Sequence, residues 1–376
     1  MKIAAILPAL LLAPAASAGD WQGAARGTLF ADQIRLRDGA GPLTEATAET
    51  AVISARGETR RDHTTVTVRG HGGAGYFRDG AGFRHNPDLT FAALEATLDR
   101  QTSPDQGAGL RILAEQGRTA GGVIQPFRNL TPGDYGPVDF HLVRLEGLLR
   151  AAPRPTMTSA HRLRLQTSRR TNTVREALIT STVRVRRDER HSWLLDGELW
   201  WQGRGDPGPD FRMAGAVVGG EGHPAPGTRW RWSAGGMIYG LDRQESAMTG
   251  SLALEADRPR FGLLVRLRRH ITRRTGRDLL YLANEAQLNG RWRVALRHTI
   301  GLSGLMQKQE PDSLPGFAGF RVDDGWIRYR YQPGPPDPRY GESSLELWAG
   351  AQWEHYRDRF TATRMLRLQV GMAIAL

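Results

Sequence analysis

Arginine recurs two residues apart from position 162 onward: Arg162 and Arg164, Arg184 and Arg186, Arg229 and Arg231, Arg266 and Arg268, Arg291 and Arg293, Arg328 and Arg330. Arg297, beside Leu296, and Arg367, between Leu366 and Leu368, continue the pattern. A guanidinium is always charged and presents a fixed fork of donors, so its chemistry is reversible anion binding. On a strand, residues two apart share one face. Arginines gathered on one face of a pore attract anions, as rings of Arg or Lys do in anion channels. The acids Asp196, Glu198, Glu255, Glu285, Glu346 and Glu354 fall on the same parity. They offer the arginines a second fate, a self-neutralising mesh that stiffens a wall.

No bond-breaking chemistry stands out beside the arginines. "GHGGAG" (Gly70–Gly75) matches G-x-G-x-x-G, but "YFRDGAGF" follows it where a dinucleotide fold needs a helix. P-loop, H-E-x-x-H and G-x-S-x-G motifs are absent, and the 10 histidines show no metal-ligand spacing. With no cysteine, neither a disulfide nor a thiolate metal site can form. An enzyme, a cofactor and a metal are therefore not expected.

The elements that place the arginines alternate with period two. Leu163 and Leu165 oppose Arg162 and Arg164; Ile179, Val183 and Val185 oppose Arg184 and Arg186; Trp230 and Trp232 oppose Arg229 and Arg231. Val265 and Leu267 oppose Arg266 and Arg268, and Trp292, Val294 and Leu296 oppose Arg291, Arg293 and Arg297. The last segment, "FTATRMLRLQVGMAIAL", is the longest such run. Arg269 and Arg364 take the oily parity, both towards a strand end. About twelve strands follow residue 157, and six more precede it, among them "GTLFADQIRLR", "TTVTVRG" and "VDFHLVRLEGLL". Several sustain alternation over about ten residues, the length that crosses a bilayer as a tilted strand.

The oily face needs a cover, and no amphipathic helix is there to provide it. "MKIAAILPALLLAPAASA" has Lys2 as its one charge, a short apolar run and an A-x-A site, and reads as a signal peptide over residues 1–18. Mean hydropathy is −0.45, and no helical span is expected. Export argues against nucleic acid as the partner of a chain with net charge +12. The expected fold is all-β: an antiparallel transmembrane barrel of 16–18 strands over residues 19–376. The alternative is a 12-stranded barrel from about residue 157 behind a small periplasmic β-domain, with "RAAPRPT" (Arg150–Thr156) as the boundary. In a barrel the oily face meets lipid, and arginine on it would cost about 2–4 kcal/mol at the midplane, which explains the parity.

The pattern as a whole resembles the Gram-negative outer-membrane β-barrel proteins, the porins in particular. The likeness covers the mature chain and rests on no single motif, and Leu376 stands where such proteins commonly end in an aromatic residue. It implies outer-membrane lipid and the outer-membrane assembly machinery as partners. It further implies that the connection after strand five, "GRTAGGVIQPFRNLTPGDYGP" (Gly117–Pro137), folds into the lumen, bringing Arg128, Asp134 and Tyr135 to a constriction. "SGLMQKQEPDSLPGF" (Ser303–Phe317) reads as a second long loop. Trp193, Trp201, Trp230, Trp232, Trp292, Trp348 and Trp353 sit near strand ends, where interfacial girdles place tryptophan. Three functions fit: a channel for small anionic solutes, an export barrel for an acidic polysaccharide or other secreted polymer, or a closed structural barrel.

Overall fold

A computed structural model describes residues 22–38, 43–79, 89–103, 105–120, 137–169, 173–204, 210–240, 244–273, 280–309, 321–333, 336–337, 342–343, 345–357 and 362–375. Residues 1–18, Arg128, Asp134 and Tyr135 lie outside the described residues. The first six strands are β1 (Gln22–Asp38), β2 (Leu43–Arg61), β3 (Thr64–Asp79), β4 (Leu89–Ser103), β5 (Gln106–Ala120) and β6 (Pro137–Arg154). Then come β7 (Met157–Arg169), β8 (Thr173–Arg186), β9 (His191–Arg204), β10 (Phe211–Ala225), β11 (Thr228–Gly240) and β12 (Gln244–Arg258). The chain continues through β13 (Phe261–Arg273), β14 (Leu280–Ala295), β15 (His298–Gln309) and β16 (Arg321–Tyr331). A two-residue ribbon, β17 (Pro336–Asp337) with β18 (Glu342–Ser343), precedes β19 (Leu345–Arg357) and β20 (Ala362–Ala375).

Apart from the ribbon, these strands form one 18-stranded antiparallel sheet. β20 pairs with β1 from Arg26↔Ala375 to Asp38↔Thr363, which closes the sheet into a barrel. Closure leaves no unpaired edge, as a lipid-embedded sheet requires. The 12-stranded alternative does not match this ladder. β1 to β6 belong to the same sheet, and "RAAPRPT" forms the end of β6 and the hairpin turn into β7 rather than a domain boundary.

Burial is inverted relative to a soluble protein. Leu195, Leu199, Leu252 and Val370 stand exposed on the outer face, while Asp32, Glu176, Gln202, Glu285 and Gln352 are buried on the inner one. That is an oily outside and a polar lumen. Short turns join β2 to β3, β6 to β7, β8 to β9, β10 to β11, β12 to β13 and β14 to β15 at one end, where β16 also leads through the β17–β18 ribbon into β19; β5 to β6 and β15 to β16, with 16 and 11 intervening residues, are joined at the other. In the turn before β9, the Asp188 carboxylate accepts from the backbone N–H of Arg190 and of His191, both at 2.8 Å. These bonds hold its carboxyl below the usual range.

Three expectations change with the structure. Leu296 and Arg297 are not strand residues: a bulge after Arg293 ends the alternation, and both sit in the β14–β15 turn, Leu296 with 87% exposure. Trp348 is buried on the lumen side, because it shares the parity of Glu346 and not that of Leu347. Ser303–Gln309 belong to β15, so the connection expected there is shorter at its start. Of the other tryptophans, Trp193, Trp230, Trp232 and Trp292 gather on the outer face at the short-turn end. Trp201 and Trp353 stand exposed towards the opposite end.

Candidate functional site

The pleat decides where each arginine points. Leu163 and Leu165 are exposed outward, so Arg162 and Arg164 face the lumen. The same test, against Ile179, Ile238, Leu267, Trp292, Ile327 and Leu368, turns Arg184, Arg186, Arg229, Arg231, Arg266, Arg268, Arg291, Arg293, Arg328, Arg330 and Arg367 inward. Of the sequence-derived row, Arg297 alone leaves the strands, for the turn.

Many of these arginines are paired. Arg184 and Arg229 share Glu221 at 2.9 and 2.7 Å. Arg231 meets Asp196 at 2.6 Å, and Arg291 meets Asp257 at 2.8 Å. Arg268 grips Glu285 with two bonds, of 2.6 and 3.0 Å. Arg328 and Arg330 converge on Glu346 at 3.3 and 3.0 Å, and Arg26 reaches the same carboxylate at 3.1 Å. Arg162, Arg164, Arg186, Arg266 and Arg293 make no salt bridge among the described residues. Arg186 donates instead to the Pro155 carbonyl at 2.9 Å.

In three of these clusters the arginine is the more exposed partner, whereas Asp257 is at least as exposed as Arg291. Glu221 shows 4% of its side chain against 44% for Arg184 and 37% for Arg229. Glu285 shows 4% against 36% for Arg268, and Glu346 6% against 38% for Arg330. The shorter carboxylate lies against the wall, and the longer arginine stem carries its charge past it into the lumen. Where two or three arginines share one carboxylate, positive charge is left over. The mesh that the acids offered is formed by these pairs.

The first six strands add arginines that sequence reasoning passed over. Arg111 meets Glu95 at 2.7 Å and Glu146 at 3.6 Å, Arg69 meets Glu95 at 4.0 Å, and Arg144 donates to Gln166 at 2.8 Å. Their signal was present: Arg111 stands between Leu110 and Ile112, and Arg144 between Val143 and Leu145.

Where β20 meets β1 the inner face is dense. Arg367 Nε donates to Asp32 Oδ1 at 2.7 Å, Gln369 Nε2 donates to the same oxygen at 2.9 Å, and Gln352 Nε2 donates to Asp324 Oδ1 at 3.2 Å. All five side chains are buried. These buried side chains run along the inner wall of β16, β19, β20 and β1.

The glycine-rich "GHGGAG" has a structural use. Gly73 lies in register with Phe91 of β4, and a Cβ on it would meet the Phe91 ring at 2.4 Å. Only glycine lets that ring lie flat across the strand. Among the described residues no group of His, Asp and Glu is arranged to hold a metal.

No protein-family model matches the chain, and no curated protein matches it. Solved structures do. OccK7 (OpdD) of Pseudomonas aeruginosa superposes with a TM-score of 0.53 at 12% identity over 94% of this chain and 99% of that one. OccK9 (OpdG) of the same organism gives 0.52 at 13% identity, over 94% and 99% of the two chains. OccK2 (OpdF), also from P. aeruginosa, gives 0.51 at 14% identity, over 94% and 98%. At such identities the likeness is one of fold, and the fold is the 18-stranded closed barrel.

Proposed function

We propose that this chain is an outer-membrane channel whose arginine-lined lumen passes small anionic solutes. The observation that carries the reading is the unequal exposure within the ion pairs: Glu221, Glu285 and Glu346 lie against the wall, while Arg184, Arg229, Arg268 and Arg330 project from it. A solute in the lumen meets guanidinium groups before it meets carboxylates. Fixed positive charge on a low-dielectric wall raises the local anion concentration and excludes cations. Pairing keeps each arginine weakly engaged, so an anion enters favourably and also leaves. The porin-like fold and the outer-facing apolar band support placement in the outer membrane, after export through a cleaved signal peptide. An export barrel for an acidic polymer would use the same arginine row.

A closed structural barrel draws on a different observation, the packed sector around Arg367 and Asp32. Planar-bilayer recording of the purified protein in a salt gradient separates the readings. The channel predicts conductance with a reversal potential on the anion side, and the closed barrel predicts none.

A further inference from the structure

The two rims of the outer face differ in chemistry. At the short-turn end the apolar band finishes in Trp193, Trp230, Trp232 and Trp292. At the opposite end, on β15, β16, β19, β20 and β1, it finishes in cations beside the exposed Trp353. Lys308 stands above the exposed Met306 and Leu302, and Arg364 above Leu366 and Leu368. Arg357 and Arg321 share the outward parity of Trp353 and of Ile327. The ladder sets these charges side by side. Lys308 pairs in register with Arg321, Arg321 with Arg357, and Arg364 with Arg37 of β1.

Cross-strand neighbours lie about 5 Å apart, and like charges directly opposite each other repel. Among the described residues Asp323 takes Arg321 at 2.9 Å, and on β1 Glu45 takes Arg35, two residues from Arg37, at 3.0 Å. Lys308, Arg357, Arg364 and Arg37 make no salt bridge among the described residues. The structure therefore holds a contiguous block of like charge directly above a lipid-facing strip, a costly arrangement unless an anion with several charges sits on it. Lysine occurs only twice in the sequence, at positions 2 and 308, so Lys308 is a departure from the chain's habit of arginine.

We propose that this patch, on β15, β16, β19, β20 and β1, binds the phosphorylated headgroup of a lipid in the outer leaflet. Acyl chains of that lipid would lie along Met306, Leu366 and Leu368, while its phosphates bridge the cross-strand cations. Charge complementarity selects the occupant: a neutral headgroup leaves the repulsion in place, and a free anion lacks the chains that hold it at the rim. The inference rests on the outer-membrane reading, in which the end where β15 joins β16 faces outward.

The test uses the full-length barrel in neutral detergent, titrated with bisphosphorylated lipid A and followed by native mass spectrometry. Wild type retains the lipid, and excess inorganic phosphate does not displace it. Replacing three cations, Lys308→Gln with Arg357→Gln and Arg364→Gln, weakens retention roughly a hundredfold, about fivefold per cation. The variant with Arg357→Lys and Arg364→Lys keeps it. Equal retention by the triple variant, equal retention of phosphatidylcholine, or displacement by inorganic phosphate would each overturn the proposal. None of these residues faces the lumen, so bilayer conductance of the triple variant reads the channel separately from the lipid site.

Discussion

Arg367 Nε stands 2.7 Å from Asp32 Oδ1, and neither side chain is exposed. The pair joins the last strand of the barrel to the first, 335 residues apart in the chain. It sits at the join on which closure of the wall depends, and Gln369 donates to the same carboxylate oxygen.

Removing one partner of a buried pair leaves an uncompensated charge, at a cost of about 3–5 kcal/mol. Arg367→Met is expected to lower barrel stability by that amount, read as the urea midpoint of the heat-modifiable form. Arg367→Met combined with Asp32→Leu should recover more than half of the loss, because the stranded carboxylate is gone. If single and double variants unfold together, the pair does not act as a unit.

The face assignment has its own test. Val265 lies in register with Leu254 and Leu288, both exposed on the outer face. Val265→Arg should cost about 2–4 kcal/mol near the midplane and reduce the heat-modifiable fraction in outer membranes. Leu296→Arg, in a turn, should assemble at the wild-type level. Equal assembly of both variants would contradict the outward placement of Val265.

A glycine on the inner wall gives a third prediction. A Cβ on Gly371 would meet the Trp348 ring at 2.3 Å and the Leu29 carbonyl oxygen at 2.8 Å. Trp348 is buried and has little room to turn. Gly371→Ala should destabilise the barrel by about 1–3 kcal/mol through overpacking. Pairing it with Trp348→Ala relieves the ring contact but not the carbonyl contact, so recovery should be partial; full recovery would locate the strain in the ring alone.

Much of this architecture was legible in the sequence, and the reasons are local. Period-two alternation needs only neighbouring residues, so Arg229 and Arg231 could be set against Trp230 and Trp232 without knowing the fold. The glycine-rich start was harder to read, since Gly70, Gly72 and Gly73 carry no side chain to show parity, and Arg69, Arg111 and Arg144 went unremarked. Pairing is a different kind of information. That Glu346 gathers arginines from β1 and β16, or that Asp32 waits for Arg367, depends on register between distant strands, which alternation does not encode. The bulge after Arg293 shifted Leu296 and Arg297 out of pattern because a hairpin turn can keep an apolar residue by chance.

Lumen charge can be altered without disturbing those pairs. Arg162, Arg266 and Arg293 face inward and make no salt bridge among the described residues. Converting all three to Glu should shift selectivity towards cations while leaving assembly intact, measured as a change in reversal potential. No shift would mean that these side chains do not meet the permeating ion.

The central claim, an arginine-lined anion pathway, is tested most directly by the reversal potential of the wild-type protein in a planar bilayer under a salt gradient. The guanidinium groups that project past Glu221, Glu285 and Glu346 predict conductance with anion selectivity, weakening as ionic strength rises and screening shortens their reach. Cation selectivity, or a bilayer that never conducts, would contradict it.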